Sequence, residues 1–154
     1  MNEQFTWLHI GLGSFHRAHQ AWYLHRLQVM GDKRWSIAAG NIRNDAEHVV
    51  QALSAQKGRY VLETVSPEGV SEYEEITSIQ KLIPWQADLQ PLIAEGADPK
   101  TKVIAFTVTE GGYYLNTSHK LEVNNPDLAA DLKGGCKTIY GVITRILEAR
   151  MANN

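Results

Sequence analysis

Apolar runs and helical stripes alternate along this chain. Thr6-Trp7-Leu8-His9-Ile10 is a short apolar run that stops at Gly11, the pattern of a buried strand. From Ser14 to Met30 the period lengthens. Ala18, Trp22 and Leu27, with Ala21 and Leu24 beside them, form one broad helical stripe, and Gly31 suits the helix end. Trp35 to Gly40 reads as a second strand. Ala46, Val49, Val50 and Leu53 then fall at i, i+3, i+4 and i+7, one face of a second helix. Asn44 or Asp45 can cap its start, and Gly58 stands after its end.

Tyr60 to Val65 is predicted as the third strand, followed by a turn at Ser66-Pro67-Glu68-Gly69. From Val70 to Leu82 the spacing of Tyr73, Ile76 and Ile79 suggests further extended pieces. A short helix is expected over Gln86 to Glu95. A strongly apolar strand follows over Lys102 to Thr107, broken by Gly111-Gly112. Asn124-Asn125-Pro126 reads as a loop, and a last helix from about Thr138 to Met151 would bury Ile139, Val142, Ile143, Ile146 and Leu147. Strands alternating with helices predict βαβ units: an α/β, doubly wound, mainly parallel sheet with helices on both faces. Four parallel strands are fewer than a complete dinucleotide-binding sheet carries, so the sheet reads as incomplete at its C-terminal end. There is no internal repeat and no low-complexity linker.

Composition narrows the classes. A length of 154 residues allows one domain with a real core, and 44% hydrophobic residues argue against disorder. A net charge of −2, with acids and bases interspersed, argues against a strongly basic nucleic-acid surface. No apolar run approaches the roughly 20 residues that span a bilayer. Met1-Asn2-Glu3-Gln4 lacks the pattern of a secretory leader, and Cys136, the single cysteine, can form no internal disulfide. A reduced, cytoplasmic setting is the expectation.

The candidate chemistry sits at strand ends. Gly11-Leu12-Gly13-Ser14-Phe15-His16-Arg17 closes the first strand and opens a helix. Gly11 permits a tight turn, Gly13 lets backbone approach a pyrophosphate, and the free amides that follow would face the anion, with Arg17 adding charge. The third glycine of the usual G-x-G-x-x-G is replaced by His16, so helix and strand should not pack in the standard way. A G-x-G after a strand is also compatible with a plain turn. After the second strand, Asn41-Ile42-Arg43-Asn44-Asp45 offers both signs of charge. Asp45 would favour NAD by bonding a ribose and repelling a 2′-phosphate, or it would cap the helix; Arg43 could stack on adenine or meet a phosphate. Glu110, in Thr107-Val108-Thr109-Glu110-Gly111-Gly112-Tyr113-Tyr114, is a candidate for proton handling at the end of the fourth strand, or a solvated loop carboxylate.

Other patterns are weaker. His16 and His19 form H-x-x-H, with no H-E-x-x-H and no cysteine cluster to support a metal, so no metal is expected. Gly134-Gly135-Cys136-Lys137-Thr138 fails as a phosphate loop because Cys136, not glycine, precedes the lysine. A methyltransferase can also pair a glycine turn with an acid after the second strand. Cys136 reads as a buried or incidental thiol rather than a nucleophile.

Gly11 to Ala21, read with Thr107 to Tyr114 and Glu72-Tyr73-Glu74-Glu75-Ile76-Thr77-Ser78-Ile79, resembles three ordered blocks of the polyol-specific long-chain dehydrogenases, the mannitol dehydrogenase family. The resemblance extends through Lys137-Thr138-Ile139-Tyr140-Gly141. It implies a Rossmann-like first domain, residues 1–154, followed in the family by a mostly helical catalytic domain. It places NAD against Gly11, Gly13, Ser14, Phe15, His16 and Arg17, with Asp45 near the adenosine ribose; Asn41, Thr107 and Thr109 complete the expected coenzyme contacts. It makes Glu110 a lining residue of a proton or water path. The family's catalytic lysine, and the asparagine and histidine that help hold the substrate oxygen, belong to the second domain, and no part of this sequence matches that block. The implied reaction is oxidation of a polyol such as D-arabinitol to the ketose D-xylulose by hydride transfer to NAD. Alternatives are a mannitol or fructuronate substrate of the same family, or a non-catalytic NAD-binding module. The expected partner is a small polyol or ketose, not nucleic acid or membrane, with a monomer one option for the native form.

Overall fold

A computed structural model describes residues 3–153; Met1 and Asn2, read above for a leader, lie outside them, as does Asn154. Along the chain the elements are β1 (Phe5–Ile10), α1 (Ser14–Ala18), α2 (Gln20–Val29), β2 (Trp35–Gly40), α3 (Glu47–Ala55), β3 (Tyr60–Val65), β4 (Ser71–Ile76), β5 (Ile79–Leu82), α4 (Gln90–Ala97), β6 (Thr101–Phe106), a 3-10 turn (Glu110–Tyr113), α5 (Pro126–Asp131) and α6 (Ile139–Ala152). Four strands form a parallel sheet in the order β5-β2-β1-β6. The register runs Phe5↔Trp35 to Ile10↔Gly40 on one side of β1, and Leu8↔Ile104 to Ile10↔Phe106 on the other. The chain reverses its winding direction at β1, so the loops after β1 and β6 part there and leave a crevice at the strands' C-terminal ends.

Alternation along each strand sends side chains to two cores. Leu8, Ile10 and Ala38 face α4 and α6, where Leu92, Ile93, Val142 and Ile146 meet them. Ile37 and Ala39 face the opposite side, against Ala21 and Leu24 of α2 and Val50 and Leu53 of α3. The sheet is thus covered on both faces, as the βαβ pattern requires.

Four expectations are corrected. The third parallel strand is β5, not Tyr60–Val65. Tyr60–Val65 instead pairs antiparallel with Ser71–Ile76 across the Ser66–Gly69 turn, in a separate two-stranded sheet. A short turn makes this pairing local, whereas a parallel partner needs a long crossover. The helix expected over Ser14 to Met30 is broken at His19, where φ is −119° and ψ is −80°. The break falls on the second of two histidines drawn to different neighbours: His16 is wholly buried, while His19 bonds the Phe15 carbonyl and stacks on its ring. Helix α3 begins after Ala46 with no side-chain cap, so neither Asn44 nor Asp45 caps it. The fourth correction is at helix stripes: Leu27 and Leu147, placed in them from the sequence, are 39% and 53% exposed, and the first stripe centres on Ala21, Leu24 and His25 instead.

Helix α6 starts on one carboxylate. Asp131 accepts from the N–H groups of Lys137 (2.6 Å), Thr138 (2.9 Å) and Gly141 (3.2 Å) and from the Thr138 hydroxyl (2.7 Å). A Cβ on Gly141 would sit 2.5 Å from that carboxylate, so only glycine fits. The Gly134–Thr138 segment therefore wraps a carboxylate already inside it, which is why it cannot serve as a phosphate loop. Among the described residues no helix is long and apolar enough to cross a membrane.

Candidate functional site

The loops after β1, β2 and β6 meet around a cleft of about 490 Å³. Of the expected residues, Gly11, Asn41, Asp45, Thr107 and Thr109 line it. So do Arg43 and Tyr114, together with Thr138 and Ile139 from the start of α6. The last two were not anticipated as site residues; the signal available was a threonine cap directly before an apolar stripe.

The turn after β1 is fixed from outside itself. Gly11 has φ +115°, a conformation that favours glycine, and its N–H donates to the Gly40 carbonyl at 2.7 Å. The Leu12 N–H donates to Asn41 Oδ1 at 2.9 Å, latching the β1 loop to the end of β2. Asn41 Nδ2 is buried and has no protein acceptor. Gly13 is different in kind from Gly11. Its φ of −62° suits any residue, and a Cβ built there meets no protein atom within 4 Å. Packing in this chain does not require glycine at position 13. The N–H groups of Gly13, Ser14, Phe15 and His16 donate to no described residue. Helix α1 is a single turn, so these amides, rather than an extended helix dipole, make the turn receptive to an anion.

His16 occupies the space the third glycine would leave. Its ring stacks on His9 of β1 with centroids 3.5 Å apart, and its Nδ1 pairs with Gln20 Oε1 at 2.8 Å. His9 Nδ1 bonds the Gly11 carbonyl at 2.7 Å, and both Nε2 atoms are buried without a partner. Burial, reinforced by the neighbouring His9, pushes His16 down to about 4, and burial lowers His9 as well. His16 and His19 engage different neighbours, and the described residues contain no cluster suited to a metal ion.

Gly13, Ser14, Phe15, His16, Arg17 and Glu110 stand beside the cleft rather than in its lining. Phe15 is 60% exposed and stacks on His19 at 4.2 Å. The Arg17 guanidinium lies over the Tyr60 ring, 5.8 Å from its centroid, and the Arg17 carbonyl accepts from the Tyr60 hydroxyl at 2.5 Å. Arg17 is thus turned to the β3–β4 hairpin. Glu110 is exposed in the 3-10 turn, between Thr109 and Gly111, which do line the cleft. Arg43 is engaged by protein groups. Its Nη2 donates to the Tyr114 hydroxyl at 3.1 Å and lies 3.7 Å from Asp127 Oδ2. Cys136 is half-buried, and burial raises its thiol.

Residues 6–154 match the sequence profile described as the mannitol dehydrogenase Rossmann domain. The chain is 82% identical over 154 residues to a D-arabinitol 4-dehydrogenase of Klebsiella pneumoniae, covering all of this chain and 34% of that one. It is 54% identical over 145 residues to a D-arabinitol 4-dehydrogenase of Ralstonia nicotianae, covering 93% of this chain and 31% of that protein. Among solved structures, the Pseudomonas fluorescens mannitol 2-dehydrogenase ternary complex with NAD and D-mannitol superposes with a TM-score of 0.88 at 30% identity, over 99% of this chain and 32% of that one. The chain therefore spans about a third of the length of the relatives it matches.

Proposed function

The chain belongs to the mannitol dehydrogenase family, and from that premise we propose that it is the NAD-binding part of a polyol dehydrogenase. In the whole protein, D-arabinitol would be oxidised to D-xylulose. The observation that carries this reading is the turn at Gly13: unbonded amides beside a position where a side chain would meet only open space. A residue that the protein's own packing leaves free to be larger, yet is glycine, is best accounted for by a ligand that must come close. The naming of the Klebsiella relative supports the substrate, and the NAD complex of the Pseudomonas relative supports the coenzyme.

Bound NAD would supply the hydride acceptor. The chain's own residues would do the rest of the binding. The amides from Gly13 to His16 donate to the diphosphate, and the buried Asn41 Nδ2 offers one further donor. Asp45, exposed on the cleft wall, accepts from the adenosine ribose and repels a 2′-phosphate. Thr107 and Thr109 present the end of β6 to the same cleft. Glu110 stands next to them and lines a path for the released proton. The base that takes the hydroxyl proton would come from a following helical domain, through a lysine; residues 1–154 act as the coenzyme domain. The setting proposed is the cytoplasm.

Calorimetric titration of this chain with NAD and, for comparison, NADP tests the reading, with Gly13→Val as the decisive variant. NAD should bind in preference to NADP. Gly13→Val should weaken NAD at least about tenfold while the melting temperature stays within about 2 °C, because the backbone tolerates the substitution. NAD binding to Gly13→Val at the parent's affinity would remove the turn from the site.

A further inference from the structure

We infer that Asp127 and Tyr114 form a clasp on Arg43 that sets the cleft against a coenzyme carrying a 2′-phosphate. This rests on the coenzyme reading above and deepens it. Among the described residues lining the cleft, Arg43 is the one cation and Asp45 the one carboxylate. They stand two positions apart in the loop after β2, where a ribose phosphate would be recognised. Left alone, a half-exposed guanidinium there would attract that phosphate. It is not left alone. Its Nη2 donates to the Tyr114 hydroxyl at 3.1 Å, the Asp127 carboxylate lies 3.7 Å away, and the Tyr114 hydroxyl is 3.4 Å from the same carboxylate oxygen. Asp127 thus places a carboxylate against the cleft's cation.

Both jaws of the clasp are held by backbone. Asp127 lies in the first turn of α5, where its N–H donates to the side chain of Asn125 at 2.9 Å. Tyr114 has φ +50°, its carbonyl accepts from the Glu122 N–H at 2.8 Å, and the next residue, Leu115, bridges to Leu121. The Arg43 and Asp127 side chains are 55% and 46% exposed, so the pair adds little to stability. Its effect is on charge and orientation at the cleft wall. A phosphate approaching Arg43 meets a guanidinium held at Nη2 by the Tyr114 hydroxyl and already faced by the Asp127 carboxylate, while Asp45, two residues on in the same cleft wall, adds a like charge.

The test uses the full-length protein and reads coenzyme binding by calorimetry, as the ratio of NADP to NAD affinity. Asp127→Asn keeps the shape and removes the charge; the ratio should rise about fivefold or more, the scale of one screened unit charge acting on a phosphate dianion. Adding Arg43→Ala to Asp127→Asn should cancel the gain. Tyr114→Phe, which frees the guanidinium without altering charge, should raise the ratio in the same direction by less. Should Asp127→Asn yield no folded protein, Tyr114→Phe decides alone. An unchanged ratio in a protein that binds NAD like the parent overturns the clasp, as does a gain that survives Arg43→Ala. Loss of both coenzymes from Asp127→Asn at the parent's melting temperature also overturns it, since Asp127 would then be shaping the cleft itself. A parent protein that binds neither coenzyme sinks the coenzyme reading and the clasp with it.

Discussion

At the scale of residues, His16 shows how a departure from a motif becomes a structural device. A histidine in place of the third glycine fills the gap between α1 and β1 with a ring stacked on His9. Burying it neutral has a pH consequence. His16 titrates near 4 in the folded chain against about 6.5 when exposed. Protonation therefore favours the unfolded chain. Stability should be full above pH 6.5 and decline as pH falls from 6.5 towards 4, by up to about 1.4 kcal/mol per pH unit for one proton. His9, also lowered by burial, acts in the same direction. Carboxylates held low by hydrogen bonds, such as Glu74 beside the Trp22 indole, act in a lower window. Urea unfolding at pH 7.5, 6.0 and 5.0 should show this loss in the parent and a flatter profile in His16→Gln; equal slopes would refute it. The sequence displayed the missing glycine and both histidines, but not that they stack, because their contact depends on how α1 lies across β1. For the same reason, the sequence placed Arg17 in the turn but did not reveal its contact with Tyr60.

At the scale of elements, Asp131 decides where α6 begins. It gathers three backbone N–H groups and the Thr138 hydroxyl, donors that would otherwise be orphaned at a helix start. Asp131→Ala should cost about 2–3 kcal/mol, more than a single cap, since several donors lose their acceptor together. Hydrogen exchange should quicken over residues 137–141, and NAD affinity should fall, because Thr138 and Ile139 line the cleft. Unchanged protection in that stretch would show that the carboxylate is dispensable. Helix periodicity made α3 and α6 legible from spacing alone. The third parallel strand was not: β5 reads Ile-Gln-Lys-Leu and lies at the sheet's edge, while Tyr60–Val65 has the stronger strand composition. Composition reports that a segment is extended; the partner it pairs with follows from turn geometry and crossover length.

At the scale of the whole molecule, the four-stranded sheet and its two cores build a platform with a cleft, and about a third of the length of its relatives. The expected functional consequence is division of labour. Residues 1–154 should bind NAD yet form no NADH from D-arabinitol, since the proposed lysine base falls outside the third of the relatives' length that they span. Absorbance at 340 nm reads this directly, and appreciable turnover by the chain alone would relocate the base to residues described above. Part of the cleft was readable in advance: Gly11, Asn41, Asp45, Thr107 and Thr109 line it together, while Gly13 to Arg17 stand outside the lining. The contacts between distant loops were not, since Arg43, Tyr114 and Asp127 meet only once the sheet has brought their segments side by side. One such contact is made by the Asn41 side chain. By accepting from the Leu12 amide it couples the turn after β1 to the loop after β2, so displacement of either drags the other, and the cleft should admit the proposed coenzyme as one rigid jaw rather than two independent fingers.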